Sequence, residues 1–537
     1  MPPARWRRWP PSWPRPPAWC LRRPTTTAPI PSSPSTSSPA LPGRSGGQCC
    51  RTRSASEATT PPWSCPAFPS DPFPQPGAGP GSAGRQSEAV TLLLAARRAS
   101  AATAEITELD GRPVARFRLG GGEHRGAIGP AEGDTIERLV LAAIDLGVPV
   151  VGMVASSGAD ISHGVASLHA WGRVARALVA ASGVVPVALV VTGPCLAGPA
   201  LLLGLADIVI MTTSAFSYVS GPKAVRRFTG AEVDHEALGA ASVHATRTGV
   251  AWATAPDEDA ALQVALDVLA YFPSNNGEVP PVQWNDDPVE RDSALAAAAV
   301  PAEAAASYDM RSVIADVADE GSFLEVRALH APNVVTGLAT IGGHSVGVVA
   351  NQPCVMAGTL DIDGSRKAAR FVQLCDAFNI ALLTFVDTPG FQPGKDIEWR
   401  GMIRHGAQLV HAYAAATVPR VSFALRKAYG GAYIVMDSKG LGSDACFAWP
   451  SAEVAVMGAA GAVQVLHGKR KPGPAERAGL EAEYSAKFCS PVMAAERGFL
   501  DDVIDPASTR RVAADAFAAL ATKREHLPHR RHANTPL

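Results

Sequence analysis

At 537 residues, 47% hydrophobic and 18% charged, the chain is long enough for at least two hydrophobic cores and apolar enough to fill them. A formal net charge of -1 gives it no field for nucleic acid or an anionic membrane, so neither is expected as a partner. The nine cysteines lack the paired C-x-x-C spacing of a zinc ribbon, which indicates neither a metal site nor a disulfide framework and fits a reducing, cytoplasmic setting.

Residues 1–85 are dominated by Pro, Ser, Arg and Trp, as in WRRWPPSWPRPP and PIPSSPSTSSP. Such a segment buries too little apolar surface to fold and reads as a disordered leader. Order is expected from Ser87, with a short helix to Arg98, a strand end at Phe117 to Gly122 and a helix from Thr135 to Leu146. A strand Val148 to Val154 then ends at Ser156-Ser157-Gly158-Ala159. A second, Val185 to Val191, ends at Gly193-Pro194-Cys195-Leu196-Ala197-Gly198, and a third, Asp207 to Met211, follows. The charge-free stretch between Arg176 and Asp207 is long enough for a membrane span, but Pro186, Gly193-Pro194 and Gly198-Pro199 cut it into strand, turn and helix.

The pattern returns after Met310, which starts a helix, and after hairpin strands Val334 to Ile341 and Ser345 to Asn351 around Gly342-Gly343. Strand Ile380 to Val386 ends in Asp387-Thr388-Pro389-Gly390, strand Val418 to Leu425 in Ala428-Tyr429-Gly430-Gly431-Ala432, and strand Val454 to Met457 in Gly458-Ala459-Ala460-Gly461. A last helix runs from Ser508 to about Arg524. Such runs, rich in Val, Leu, Ile and Phe, read as strands of a sheet covered by helices on both faces. The spacing from Pro149 to Pro186 nearly matches that from Ala381 to Pro419, so the chain carries an internal domain repeat. The organisation predicted is α/β: a domain at 86–275, a Pro-, Ala- and charge-rich linker at 276–309, and a second domain at 310–537.

Several catalytic devices are missing. Asp387-Thr388-Pro389-Gly390 follows a strand as a GTPase D-x-x-G does, but no G-x-x-x-x-G-K-[ST] precedes it, and Gly120-Gly121-Gly122 is no dinucleotide fingerprint. There is no G-x-S-x-G elbow, and His163, His405 and His411 read as helix-surface residues. What stands out is a pair of glycine turns, Ala197-Gly198 and Gly431-Ala432, read as equivalent places in the two copies. Each lies at the carboxyl end of a strand, where open α/β sheets bind ligands. A glycine turn opening a helix presents backbone N–H groups backed by the helix dipole, which suits a developing oxyanion.

The run YDMRSVIADVADEGSFLEVRALHAPNVVTGLATIGGHSVGVVANQP, with AGTLDI, LLTFVDTPGFQPG, RKAYGGAYIVM, AWPSAEVAVMGAAGAV, SPVMAAERGFLDDVIDP and the closing LPHRRHANTPL, resembles the carboxyltransferase (beta) subunit of biotin-dependent acyl-CoA carboxylases of the propionyl-CoA carboxylase type. The resemblance implies two tandem crotonase-like (ClpP/crotonase) domains. It implies transfer of a carboxyl group from carboxybiotin, carried on a biotin carboxylase/biotin carrier (alpha) subunit, to the α-carbon of a short acyl-CoA, within a homo-oligomer for which a hexamer is the expectation. No biotinylation motif or ATP-grasp region is present, so the biotin must come from a partner. Carried over position by position, Ala197 and Gly198 hold the thioester oxygen, and Gly431 and Ala432 the biotin ureido oxygen. Ser157, Gly158, Ala159, Gly390, Phe391 and Tyr433 line the substrates, and Ile434 stands where the family varies its acyl selectivity. Three departures fall on the acyl side. Ala197 replaces a glycine and must avoid a glycine-only φ, Pro199 removes an N–H, and Asp160 replaces a basic residue, to repel CoA phosphates or face water. Two alternatives stay open: the carboxyltransferase subunit of a biotin-dependent acyl-CoA decarboxylase, and a noncatalytic paralogue serving as an assembly partner.

Overall fold

The computed structural model describes residues 100–536 apart from 123, 304 and 471. The leader read at 1–85 and the helix read from Ser87 to Arg98 lie outside the described residues. The first sheet holds β1 (Ala102–Leu109), β2 (Arg112–Leu119), β3 (Val150–Ser156), β4 (Val187–Leu196), β5 (Ile208–Thr212), β6 (Phe216–Tyr218) and β7 (Ala253–Ala255). Its order is β1-β2-β3-β4-β5-β7, with β6 paired to the carboxyl end of β4. The β1–β2 pair is antiparallel, and every later pairing is parallel.

The second sheet holds β8 (Leu324–Glu325), β9 (Val334–Ile341), β10 (His344–Asn351), β11 (Ala381–Thr388), β12 (Arg420–Tyr429), β13 (Ala445–Ala448), β14 (Glu453–Ala455) and β15 (Asp502–Val503). Its order is β15-β13-β12-β11-β10-β9-β8, with β14 on the carboxyl end of β12. The expected hairpin is β9–β10, turning at Gly342 and Gly343 with φ of 58° and 79°, the left-handed pair that matches strand twist in a tight hairpin.

Three apolar layers hold the sheets. Helices Pro130–Leu146 and Val165–Ala181 cover the outer face of the first sheet through Ile136, Leu139, Val174 and Leu178. Helices Met310–Val317 and Thr509–Leu520 cover the outer face of the second. Between the sheets, helices Glu258–Leu269 and Ile362–Ala377 share one core in which Val190 and Ile210 of the first half join Phe371 and Leu382 of the second. Phe272 and Phe378 meet edge to face there, ring centroids 5.7 Å apart. Asp207, 3% exposed, takes an ion pair from Arg370 of the other half at 3.3 Å.

Some readings need correction. The run Val454 to Met457 is no buried strand: β14 is short and half-buried and Val456 is exposed, while the third central strand is the four-residue β13. Segment 276–309, read as a linker, is bound to the second half. Val282 bridges to His344, helix Ala294–Ala299 packs on helix Met310–Val317, and Arg291 pairs with Asp316. Among the described residues no helix is long and apolar enough to cross a membrane.

Candidate active site

Strands β3 and β4 pair from Val150↔Val187 to Val154↔Val191, slip, and resume at Ser156↔Cys195. Strands β11 and β12 repeat this, from Leu382↔Arg420 to Val386↔Ala424, then Thr388↔Ala428. Past the slip, β6 and β14 join the tips with Leu196↔Tyr218 and Tyr429↔Ala455. The ladders therefore match Ala197 with Gly430, Gly198 with Gly431 and Pro199 with Ala432. This corrects the pairing of Ala197-Gly198 with Gly431-Ala432, which followed the look of the glycine motifs; only strand register resolves a one-residue offset. Ala197 and Gly430 both have φ of 58°.

In the first half, Ala197 takes up the backbone it was expected to avoid, φ 58° with ψ -137°, nearly that of Gly164 at 55° and -133°. For a residue with a Cβ this is strained. Its N–H donates to the Tyr218 carbonyl at 3.0 Å. Gly198 begins a 3₁₀ helix, Gly198–Gly204, with Pro199 buried behind it. A Cβ on Gly198 would lie 2.7 Å from the Trp171 ring, so only glycine fits. The Ser157-Gly158-Ala159 turn stands alongside: Gly158, at φ 118°, would bring a Cβ 3.5 Å from Ala197, and its N–H donates to Ser156 Oγ at 3.2 Å. Asp160 neither faces water nor stands free to repel phosphate. It is buried, accepts from the Ser162 N–H at 2.9 Å, and meets His124 Nδ1 at 2.7 Å and His163 Nδ1 at 3.2 Å. Bonds from Ser162 and His124 hold its carboxyl well below the usual carboxylate range. His163 is thus part of a polar cluster at this turn, not an isolated surface residue.

In the second half, Gly431 and Ala432 fall in the first turn of helix Gly430–Val435, where N–H groups have no carbonyl of their own helix to bond. Gly431 is exposed and Ala432 buried. Phe391 lies over this turn: Cβ atoms built on Gly431 and on Gly406 would each be 3.5 Å from its ring. The Gly390 carbonyl takes the Leu360 N–H at 3.1 Å, and the Leu360 carbonyl takes the Gln392 N–H at 2.8 Å, which fixes the Gly390-Phe391 bend. Tyr433 turns partly into the core, and burial raises its phenol. Ile434 is 44% exposed, so it is not a core residue.

Beneath the second turn lies a brace that sequence reading missed. Asp387, 1% exposed, accepts from Tyr308 Oη at 2.9 Å, Arg426 Nε at 3.1 Å and the Lys427 N–H at 3.1 Å. Arg426 also donates to the carbonyls of Glu303 and Ala306 and lies over the Tyr308 ring, 5.1 Å from its centroid. Arg426 and Asp387 carried a usable signal, because charges at the ends of buried strands need partners. Tyr308 carried none. The first half has Ala155 and Gly193 at the matching positions. Trp171 was also missed.

The described site thus offers backbone N–H donors at two equivalent strand tips, suited to negative charge developing on oxygen. A family model described as carboxyl transferase domain matches residues 100–535. The propionyl-CoA carboxylase beta chain of Saccharopolyspora erythraea is 44% identical over 447 residues, 80% of this chain and 82% of that protein. Methylmalonyl-CoA decarboxylase subunit alpha of Veillonella parvula is 41% identical over 431 residues, covering 80% and 84%. The crystal structure of transcarboxylase 12S, described as a hexamer assembly with hydrolyzed methylmalonyl-coenzyme A bound, matches with a TM-score of 0.79 and 41% identity over 81% of this chain and 85% of that one.

Proposed function

We propose, from the premise that this chain belongs to the carboxyl transferase family, that it moves a carboxyl group from carboxybiotin held on a partner subunit to the α-carbon of a short acyl-CoA. It is a carboxyltransferase-class enzyme of two crotonase-like halves. The observation that carries the reading is the repeated turn: two strand tips in equivalent register, each opening a helix with N–H groups at its start.

The acyl-CoA is assigned to the first domain, 86–275, with the Gly198 N–H directed to the thioester oxygen and Ser157, Gly158 and Ala159 beside it. Ala197 contributes conformation rather than a donor, since its N–H is already bonded. Biotin is assigned to the second domain, 310–537, and the residues fit it. Gly431 and Ala432 supply two successive N–H groups for one ureido oxygen, and Gly390 and Phe391 wall the turn. When bound, biotin supplies the activated carboxyl group. The chain's own part is to hold each developing oxyanion, a role in which one donor is worth about 10²–10³-fold in rate. Tyr433 backs the biotin-side turn and Ile434 faces the acyl tail.

A biotin carboxylase/biotin carrier subunit is the partner this requires. Self-association, up to a hexamer, would bring the first domain of one subunit against the second of another. Apolar residues exposed beside both turns support it: Ile161, Val165 and Leu168 in the first half, Trp399, Ile403 and Val456 in the second. The five described cysteines are free, in keeping with a cytoplasmic setting. A decarboxylase role is the second reading, favoured by the Veillonella relative. The test is to assay the purified chain with its carboxylase partner on acetyl-, propionyl- and longer acyl-CoAs. Transfer to one of them supports the reading, and its absence with an active partner sinks it.

A further inference from the structure

We infer that His163 and Arg125 bind the phosphate groups of the CoA thioester. The inference rests on the reading of the turns at 157–159 and 196–198 as the acyl side. Asp160 gathers two imidazoles on one oxygen: His124 Nδ1 lies 2.7 Å and His163 Nδ1 3.2 Å from Oδ2, while Oδ1 takes the Ser162 N–H at 2.9 Å and Ser162 Oγ at 2.7 Å. A carboxylate only accepts, so each ring nitrogen that faces it carries a proton. For His163 this leaves Nε2 as the atom that becomes a donor when the ring is cationic. The His163 side chain is 55% exposed, and Nε2 has no partner among the described residues. Arg125 is exposed as well, and its guanidinium has no partner among the described residues. Two exposed donors able to carry positive charge therefore stand beside a turn assigned to a substrate that carries phosphates, and charge-assisted hydrogen bonds to such groups are the strong ones.

Backbone bonds set the distance. The Arg125 carbonyl takes the Ser157 N–H at 3.1 Å, and the His124 carbonyl takes Ser157 Oγ at 2.8 Å. The loop then follows β3: the Ile128 N–H goes to the Gly158 carbonyl at 2.8 Å, and the Ile128 carbonyl takes the Asp160 N–H at 3.0 Å. This loop flanks the β3 tip on one side and the Gly198 turn flanks it on the other, two strand spacings or about 10 Å apart. The pantetheine arm of CoA, about thirteen bonds of about 1.3–1.5 Å each, covers that distance with slack. A thioester oxygen at Gly198 and a phosphate at His163 thus suit one ligand. The charges facing His163 are few. A Cβ built on Gly129 would lie 3.5 Å from His163 Nδ1 and 3.0 Å from Glu132 Oε2, so Glu132 of helix Pro130–Leu146 is a neighbour; it is engaged by the Gly129 and Ala101 N–H groups at 3.0 and 3.1 Å. Asp134, further along that helix, pairs with Arg138 at 3.2 Å. With both imidazoles charged, His124, His163 and Arg125 outweigh Asp160 and Glu132. Lys223 and Arg227, exposed cations of helix Pro222–Thr229, follow β6 on the opposite side of the β4 tip.

The test needs no partner subunit. Propionyl-CoA and S-propionylpantetheine, which ends before the phosphates, are titrated onto the full chain by calorimetry. Wild type should bind propionyl-CoA the more tightly. His163→Gln and Arg125→Ala should each weaken propionyl-CoA by about 10-fold, the worth of one hydrogen bond to a charged group, and leave propionylpantetheine unmoved. Arg227→Ala, on the far side, should change neither. At about pH 7.5, above the ordinary imidazole value of about 6.5, binding of propionyl-CoA to wild type should take up protons, read from the dependence of the heat on the buffer. His163→Arg, whose charge is fixed, should keep the affinity and lose the uptake. Equal losses for the two esters, no loss in folded His163→Gln and Arg125→Ala, proton uptake that persists in His163→Arg, or a loss in Arg227→Ala in their place overturns the inference. Arg125→Ala carries the test if His163→Gln does not fold. Wild type that binds both esters equally overturns the inference alone, whereas wild type that binds neither overturns the acyl-side reading beneath it.

Discussion

Gly431→Pro separates the chemistry of the second turn from its architecture. Gly431 is the second residue of helix Gly430–Val435, so its N–H has no carbonyl within the helix and proline breaks no helical bond. Gly430, at φ 58°, is already outside the right-handed region that a residue before proline avoids. A Cβ at 431 meets only the Phe391 ring at 3.5 Å, an ordinary contact, and Pro199 stands one place further along the matching turn of the first half. The fold should therefore lose less than about 1 kcal/mol, a fall in Tm of no more than about 2–4 °C. Losing one oxyanion donor should lower kcat by about 10²–10³-fold, equivalent to about 2.7–4 kcal/mol. Gly431→Ala is the control for bulk, since it keeps the N–H. The measurement is carboxyl transfer with the partner present, alongside a thermal melt. Near-normal turnover in a folded Gly431→Pro protein would refute the assignment of this turn.

Ala197→Gly should raise stability by about 1 kcal/mol, the strain of a side chain at φ 58° less the greater flexibility of glycine in the unfolded chain; a lower denaturation midpoint would contradict this. Ile434→Asp should change the ratio of kcat/KM between short and longer acyl-CoAs by about 10-fold or more, whereas a uniform drop across chain lengths would remove Ile434 from the acyl pocket. Burial pushes the Asp207 carboxyl up to about 6, against an ordinary value of about 3.9. In that window the folded chain holds a proton that the unfolded chain has lost, so the Asp207 contribution to stability falls as pH rises from about 4 to about 6 and is level above. Asp207→Asn should flatten that part of the urea-midpoint profile; an unchanged slope would rule Asp207 out as its source.

Strands β3, β4, β11 and β12 were legible because they are buried on both faces and so read as unbroken apolar runs. Strand β1, ATAEITEL, alternates between charged and apolar residues at a sheet edge, and β13, ACFA, is too short to stand out, so both escaped. The glycine turns were legible as local chemistry. Their one-residue offset was not, because it depends on where the β3–β4 and β11–β12 ladders slip. The bonded state of the Ala197 N–H was equally hidden, since its acceptor, Tyr218, lies on another strand.

Those non-local facts change what the repeat means. The two halves share a ladder, a slip and a left-handed residue at the tip, then diverge within a few residues. The second half anchors its turn on Asp387, Arg426 and Tyr308 and keeps both N–H groups. The first half has Ala155 and Gly193 in place of that ion pair, a strained alanine, and a proline where a donor would be. A buried ion pair costs desolvation unless its remaining hydrogen bonds are satisfied; Arg426 meets this through Glu303 and Ala306, both in the segment that joins the halves. The joining segment is thereby a structural part of the second-half turn, whereas the first-half turn relies on how Trp171 packs against Gly198. Substitutions in 303–308 should accordingly disturb the second turn before the first, an asymmetry that the near-equal spacing of the two repeats conceals.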